Sequence, residues 1–448
     1  MNGSEKPTLT AIVCTLILTL CPVAPGRTIR VANDAPADFH TIQAAVDDAN
    51  DGDTVLVAPG TYTGDGNRDI DVWLKAITIR SEEGPGSCII DCGGSAAEPH
   101  QGLVMNIDSE THTKGVIEGF TITGGYAPQG GGGILCLGGD PRIINCIVTG
   151  NSARLSGGGI VCGGANPVVA NCIISGNVAR DDAGGISLSG SPALLVNCLI
   201  TGNRADGEGS GVACHRNVSV VNCTITGNRG IWLPGEGIYV GGITEDTVLT
   251  VQNSIVCGND SVDIFRTPPP LGGSNLSRVE IECSLVGKAW RSLTEGRPEL
   301  ECPPLDQLFA RVGYWDPNGT PGDPSDDLWI DGDYHLKSQA GRWDPESETW
   351  VQDDVTSPCI DAGDPNSPIG YEPFPNGGRI NMGAYGGTAE ASKSYFGEPV
   401  CETPIAGDLN GDCIVDFEDF KILASHWMAG VPAPPLPPDG EPEPVTPR

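Results

Sequence analysis

The sequence is poor in basic residues, in aromatic residues and in long apolar runs. It has 25 Lys and Arg against 58 Asp and Glu, which gives a formal net charge of −33 at pH 7. Because nucleic acids and anionic membrane surfaces are bound through basic patches, this balance argues against both as partners. Only 5% of the residues are aromatic, as suits a narrow interior filled by Ile, Val, Leu and Cys. Beyond residue 24, no run approaches the roughly 18 apolar residues that a membrane-spanning helix needs.

The motifs of several common chemistries are also missing. The 17 cysteines show no Cys-x-x-Cys or Cys/His spacing of a zinc site. No nucleophile–base triad is recognisable, the histidines are isolated, and the glycine run at residues 130–133 predicts a bend rather than a phosphate loop. Glycine and proline are frequent, at 63 and 37 residues, but glycine recurs at regular intervals and therefore marks bends rather than disorder.

The centre of the chain repeats one short phrase that begins with Asn-Cys and ends with Gly-Asn. Its copies begin at Asn145, Asn171, Asn197 and Asn222, 25 or 26 residues apart, and a degenerate copy begins at Asn253. Short β-branched runs bounded by Gly and Asn predict strands separated by sharp bends. One repeat cannot bury its apolar side, whereas repeats stacked in parallel about 4.8 Å apart bury a continuous column. The spacing therefore predicts a parallel β-helix.

Equivalent residues of successive coils should stack on one another. The first asparagine of each phrase is expected to form an amide ladder at a bend, because Asn tolerates left-handed backbone dihedrals. Parallel stacking seldom aims neighbouring Cβ atoms correctly for a disulfide, so reduced thiol columns are favoured over bridges. The predicted interior columns are Val148, Ile174, Ile200 and Ile225; Cys146, Cys172, Cys198 and Cys223; and Cys136, Cys162 and Cys214, with Leu188 in the gap.

A short amphipathic helix is predicted ahead of the coils. Ile42, Ala45, Val46 and Ala49 lie at positions i, i+3, i+4 and i+7, and a helix there could cover the open end of a sheet. The stretch TIQAAVDDANDGDTVLVAPGTY, followed by Gly/Asn repeats, resembles secreted proteins of the pectate-lyase-like superfamily. The resemblance covers roughly residues 28–290 and implies an all-β, right-handed parallel β-helix. That superfamily includes lyases, hydrolases and esterases, so the resemblance does not select an activity.

Five parts are expected along the chain. Lys6 followed by the apolar residues 9–24 predicts a signal peptide, and hence a secreted or cell-surface protein. The Trp-, Pro- and Asp-rich segment is expected to shield the last coil, or else to present aromatic rings to sugars. The predicted parts are a signal peptide (1–26), the β-helix (27–290), an irregular C-terminal cap with the final coils (291–398), a small α-helical calcium-loop module (399–430) and a disordered Pro-rich tail (431–448).

Residues 407–428 carry the one motif with defined chemistry. Alternating oxygen donors suit Ca²⁺, which takes six to eight oxygen ligands. The motif resembles one half of a dockerin, the calcium-dependent module that attaches polysaccharide-degrading enzymes to cohesin scaffolds, and so implies a cohesin-like or cell-surface partner. Three departures are Cys413 in place of the usual glycine, Asp419 in place of glutamate at a position where dockerins accept either, and a single loop instead of two. The predicted ligands are Asp408, Asn410, Asp412, Ile414 (through its carbonyl), Asp416 and Asp419.

Catalytic residues, if the protein has them, should follow the coil period on outward positions. Arg154 and Arg180 are 26 residues apart, as are Asp182 and Glu208; Asp181 and Asp206 lie nearby. Carboxylates beside an arginine could act as acid and base on an acidic glycan, although solvated charges are also common in surface turns. Two hypotheses remain open: a monomeric, polysaccharide-interacting surface protein attached through its calcium module, and a polysaccharide lyase or glycoside hydrolase.

Overall fold

The chain winds into a solenoid in which each short strand pairs in parallel with the equivalent strand of the next coil. The computed structural model describes residues 26–34, 36–106, 114–190, 192–230, 237–241, 247–267, 277–288, 302–395, 407–410 and 414–425. The predicted signal peptide and Pro-rich tail lie outside these ranges. The predicted all-β parallel β-helix is confirmed. None of the helices in the described ranges has the length and apolar character needed to cross a membrane.

Each central coil contributes one strand to each of four sheets. The strands of sheet 1 are β1 (Thr28–Val31), β2 (Thr54–Val57), β5 (Thr78–Ser81), β8 (Val116–Glu118), β12 (Arg142–Ile144), β16 (Val168–Ala170), β20 (Ala193–Val196), β24 (Val218–Val221), β28 (Val248–Gln252) and β31 (Arg278–Glu282). The strands of sheet 2 are β3 (Gly60–Thr63), β6 (Cys88–Asp91), β9 (Thr121–Thr123), β13 (Ile147–Thr149), β17 (Ile173–Ser175), β21 (Leu199–Thr201), β25 (Thr224–Thr226), β29 (Ile255–Val256) and β32 (Leu285–Val286).

The other two sheets complete the coil wall. The strands of sheet 3 are β4 (Ile70–Asp71), β7 (Leu103–Asn106), β11 (Ile134–Leu137), β15 (Ile160–Gly163), β19 (Ile186–Ser189), β23 (Val212–Cys214), β27 (Ile238–Val240) and β30 (Ile264–Arg266). The two-residue strands of sheet 4 are β10 (Tyr126–Ala127), β14 (Ser152–Ala153), β18 (Val178–Ala179), β22 (Arg204–Ala205) and β26 (Arg229–Gly230). Around a coil the chain passes from sheet 1 to sheet 2, then to sheet 4 and sheet 3.

The predicted interior columns are present. Val148, Ile174, Ile200 and Ile225 are fully buried and stand in register in sheet 2. Cys136 pairs with Cys162, which pairs with Leu188, which pairs with Cys214. The cysteines of both columns are free and buried, as predicted. Cys257 and Cys302 form a disulfide, which the repeat pattern did not predict.

The first asparagine of each phrase makes the bend between sheets 1 and 2, but it does not form the amide ladder. Its φ lies between 49° and 53° in all five copies, so the predicted left-handed bend is confirmed. The ladder is formed by the last asparagine of each phrase. Nδ2 of Asn151, Asn177, Asn203 and Asn228 each donates to Oδ1 of the next copy, at 3.2, 3.0, 3.0 and 2.9 Å, and the last acceptor is Asn259.

The predicted ladder was wrong because both asparagines recur at the same period, and the period does not show which one faces inward. Asn145 and Asn171 are exposed, whereas Asn177 and Asn203 are fully buried. A buried amide must satisfy its donors and acceptors within the protein, and its copy in the next coil can do so.

The predicted capping helix is confirmed as α1 (Ile42–Asp48). Ile42, Ala45 and Val46 are fully buried. The helix packs against β1, β2 and β4 at the N-terminal end of the sheets. Its apolar face therefore covers the interior column at the first coil that the structure describes.

The segment 302–395 packs along the flank of the solenoid and covers more than the last coil. In its described residues it contains the short helix α2 (Leu305–Leu308) and three antiparallel strand pairs. Outward-facing Ile173, Leu199 and Ile255 of sheet 2 join side chains of this segment in a second apolar core. The paired strands are β33 (Phe309–Arg311) with β36 (Asp333–Leu336), β34 (Tyr314–Asp316) with β35 (Leu328–Ile330), and β37 (Arg342–Asp344) with β38 (Thr349–Val351).

Candidate functional site

Turns between sheets 4 and 3 bring the predicted carboxylates of two coils together. Asp182 Oδ1 accepts the backbone amide of Glu208 at 2.8 Å. The carbonyl of Asp181 accepts the amide of Gly207 at 2.8 Å. These contacts stack one turn on the next, so the 26-residue spacing of Asp182 and Glu208 does place them side by side.

Burial shifts the protonation of this acidic cluster. It raises the pKa of Glu208, and the charges of Asp182 and Asp181 raise it further, against a hydrogen bond from Tyr239 that lowers it. Burial, with the charge of Asp182, also raises the pKa of Asp181. A carboxyl that stays protonated to higher pH can donate as well as accept hydrogen bonds, and it can act as a general acid.

Tyr239, Thr267 and His215 complete the cluster, and the sequence did not single them out. Tyr239 lies on β27, one coil beyond Glu208, and burial together with its hydrogen bond to Glu208 raises its pKa to about 12. The Thr267 hydroxyl donates to the Tyr239 oxygen at 2.8 Å. The His215 ring meets the Tyr239 ring edge-on at 6.0 Å, and burial lowers the pKa of His215. Only the 26-residue spacing of Tyr239 and Phe265, which stack in register, could have indicated this position.

The arginines of these coils fall into two groups, and the role suggested for Arg154 and Arg180 stays a prediction. Arg154 and Arg180 are exposed at equivalent positions of consecutive coils. In the next two coils, Arg204 donates to the carbonyls of Pro324 and Ser325, and Arg229 pairs with Asp327 at 2.5 Å. Arg204 and Arg229 therefore hold the C-terminal segment on the flank.

The predicted calcium loop is described in part. Asp408 and Asp419 are 2% and 3% exposed, and Asp412 lies outside the described ranges. Asp419 accepts the amides of Leu409 at 2.6 Å and Asp416 at 2.7 Å, and Asp416 in turn accepts the amide of Glu418 at 2.8 Å. The last two bonds form a reciprocal cap on the helix α3 (Phe417–Ser425).

The electrostatics of the loop are compatible with a hard cation. Burial raises the pKa of Asp419, but the amides of Asp416, Leu409 and Asn410 outweigh that effect and hold the pKa below its usual value. The donors named are all oxygens, the type that Ca²⁺ prefers. Among the residues that are described, no three His, Cys, Asp or Glu side chains are placed to hold a metal ion.

Comparisons with known families settle the hand of the coils. Residues 76–262 match the family described as "Right handed beta helix region". The solenoid is a right-handed parallel β-helix. Residues 322–363, on its flank, match a family described as "Disaggregatase related". No protein of curated function matches the sequence.

Solved structures similar to this right-handed β-helix share little sequence with it. A pectate lyase aligns with a TM-score of 0.45 and 16% identity, over 81% of this chain and 97% of its own. A pectin methylesterase from Aspergillus niger aligns with a TM-score of 0.34 and 15% identity, over 63% of this chain and 91% of its own.

Two tryptophans of the C-terminal segment are used to hold it on the β-helix. Trp315 and Trp329 pair across β34 and β35 with ring centroids 5.3 Å apart, and Trp315 Nε1 donates to the carbonyl of Gly227 at 3.1 Å. Trp329 lies over Gly202 and Gly227. Both rings therefore pack between the segment and the β-helix, and the sugar platform stays a prediction. Trp350, with 36% exposure, has Lys393 Nζ 4.0 Å from its ring centroid.

Proposed function

We propose that the protein binds polysaccharide along its β-helix, is exported, and is attached through its C-terminal calcium module. The observation that carries the binding proposal is the stacked cluster of Asp181, Asp182 and Glu208 with Tyr239. Polysaccharides present neighbouring hydroxyl groups, each of which is both a donor and an acceptor. Glu208 and Asp182 offer carboxyl oxygens to such hydroxyls, and Tyr239 supports Glu208 from beneath through its hydrogen bond.

A lyase or glycoside hydrolase is the alternative, favoured by one feature of the same cluster. The Glu208 carboxyl group, whose pKa is raised, lies beside the Asp182 carboxyl group, which accepts the Glu208 amide. Two neighbouring carboxyl groups, one of them with a raised pKa, are the pair that general acid–base cleavage of a glycosidic bond uses.

Replacing Glu208 tests both functions. In a glycan array on the full-length protein, Glu208→Ala should weaken binding by about 10–100-fold, because it removes a hydrogen-bonding group worth roughly 1.5–3 kcal/mol. The matched control is Glu98→Ala, at an exposed acid of an early coil, which should bind as the unmodified protein does.

Assays for reducing ends and unsaturated uronates separate binding from catalysis. Turnover that disappears in Glu208→Gln would favour the enzyme. Turnover that survives replacement of Asp181, Asp182 and Glu208 together would contradict a catalytic role for the cluster. Equal glycan binding by Glu208→Ala and Glu98→Ala would contradict the binding site.

The attachment proposal rests on the charge and the surface of the C-terminal module. Ca²⁺ would be held by Asp408, Asn410, Asp412, Asp416 and Asp419 with the carbonyl of Ile414. Beside this donor set, the module exposes an apolar surface suited to a cohesin-like or cell-surface protein partner. That surface comprises Ile414, Val415, Phe417 and Phe420, which are 58%, 55%, 86% and 60% exposed.

Ca²⁺ should protect the backbone amides of residues 405–428 in hydrogen exchange on the full-length chain. Asp408→Ala should weaken the Ca²⁺ midpoint by roughly 100-fold, at least as much as an outer-shell change at a metal site. Glu418→Ala removes an exposed acid of the same module outside the donor set, and should leave the midpoint unchanged. Identical exchange in Ca²⁺ and in chelator would refute the calcium module.

A further inference from the structure

A second group of buried oxygens lies in the C-terminal segment, apart from the acidic cluster and the calcium loop. Glu372 is 7% exposed, and its Oε1 accepts the amides of Asn381 at 2.8 Å and Gly387 at 2.9 Å. Its Oε2 is buried and has no hydrogen-bond partner. A buried carboxyl oxygen without a partner is costly, so this atom calls for a ligand.

Asp361 and Ser394 belong to the same group of buried oxygens as Glu372. Asn381 joins the two acids, because its amide donates to Glu372 and its Oδ1 accepts the amide of Asp361 at 2.8 Å. Asp361 Oδ1 also accepts the amide of Gly377 at 3.1 Å. Ser394 is 6% exposed, and its side chain lies within hydrogen-bonding reach of Asp361, whose pKa it lowers against the effect of burial. The group therefore contains one buried, unpartnered carboxyl oxygen, on Glu372, and a second acid, Asp361, with a hydroxyl beside it.

The nearby guanidinium of Arg379 does not supply a partner for the unpaired oxygen of Glu372. Arg379 lowers the pKa of Asp361, but its guanidinium donates to the carbonyls of Ala362 and Gly363. Burial raises the pKa of Glu372 to about 7, and the charge of Asp361 adds to the shift. Without a ligand, the two acids repel each other in a site from which water is largely excluded.

We propose that Asp361, Glu372 and Ser394 form a site for a hard divalent cation, for which Ca²⁺ is the probe. The three side chains present only oxygen donors, and Ca²⁺ accepts irregular oxygen sets that water and backbone carbonyls complete. The site would tie together the turns around residues 361, 372 and 394. Between residues 352 and 395 the segment has no strand or helix, so a cation would hold its turns where a hydrogen-bonded ladder does not.

The test is made on the full-length chain carrying Asp408→Ala. This substitution weakens Ca²⁺ binding by the predicted C-terminal loop, so that the remaining tight binding is measured at the second site. In this background, Ca²⁺ should bind in a calorimetric titration and raise the melting midpoint by about 2–4 °C or more relative to chelator. Adding Glu372→Gln should abolish both the shift and one equivalent of binding. Adding Glu348→Gln, an exposed acid of the same segment, should leave both intact.

Asp361→Asn is the second variant, in case Glu372→Gln does not fold; it keeps an acceptor for the Gly377 amide and should also abolish the response. The proposal is overturned if Asp408→Ala alone shows neither binding nor a shift, since a proton or a water molecule then satisfies Glu372. It is equally overturned if the response survives both substitutions. Either result leaves the calcium module and the glycan surface untouched.

Discussion

Replacing Asn203 with alanine should lower the apparent free energy of unfolding by about 3–5 kcal/mol, among the largest effects of any single change in the β-helix. The Asn203 amide is fully buried and makes four hydrogen bonds with its side chain. Its Oδ1 accepts the Nδ2 of Asn177 at 3.0 Å and the backbone amide of Asn177 at 3.1 Å. Its Nδ2 donates to the carbonyl of Ile174 at 2.8 Å and to Asn228 Oδ1 at 3.0 Å.

The ladder makes this loss larger than that of one isolated amide. Every Nδ2 donates toward the C-terminal end, and Asn259 donates to Asp263 Oδ1 at 2.8 Å. Asp263 is 3% exposed, and its Oδ2 accepts the amide of Lys288 at 2.7 Å. A gap at Asn203 leaves the buried backbone amide of Asn177 without its acceptor, removes one of the two acceptors of Asn177 Nδ2, and separates both groups from this terminal carboxylate.

Denaturant unfolding of the full-length protein measures the effect. The matched control is Asn171→Gly, which removes an exposed asparagine at a φ of 53° without straining the backbone. It should change the unfolding free energy by no more than about 0.5 kcal/mol. If the two variants lose equal stability, the amide ladder is not what holds the coils together.

Gly202→Ala should detach the C-terminal segment from the flank of the β-helix. A Cβ at this position would lie 2.0 Å from Cδ2 of Trp329, so the indole must move out of its place over the coil. Since Trp329 belongs to the second apolar core, we expect a loss of about 3–5 kcal/mol from that interface, comparable with truncation of a buried tryptophan. Limited proteolysis between residues 302 and 395 should become faster.

Two further variants isolate the clash. Gly164→Ala has a comparable φ of +64° but open space around the added Cβ, so it should show only the backbone cost of about 1–2 kcal/mol. Trp329→Ala combined with Gly202→Ala should be less destabilised than the sum of the single changes, because the clash disappears with the indole. Additive losses, or equal losses for Gly202→Ala and Gly164→Ala, would show that Trp329 is not seated on this glycine.

Part of the candidate site could be predicted from the repeat. Asp182 and Glu208 share a position in the coil period, and residues at the same position in neighbouring coils must be close in a solenoid. Tyr239 and His215 could not be placed in the same way, because their proximity to Glu208 depends on how strands of sheet 3 sit beside the turns. The raised pKa of Glu208 follows from that packing and not from its sequence neighbours.

The sequence by itself determined the coil. The period, the β-branched runs and the bend residues are enough to predict the coil, because each coil of a solenoid packs chiefly on its nearest neighbours. Val148 and Ile174 must therefore stack if the phrases that contain them stack. Two features were decided by the tertiary structure: which asparagine column faces inward, and the packing of Trp329 on Gly202. The asparagine column depends on which side of each sheet faces the core, and the packing of Trp329 joins residues 127 positions apart. The local repeat shows neither the facing of the asparagines nor this contact.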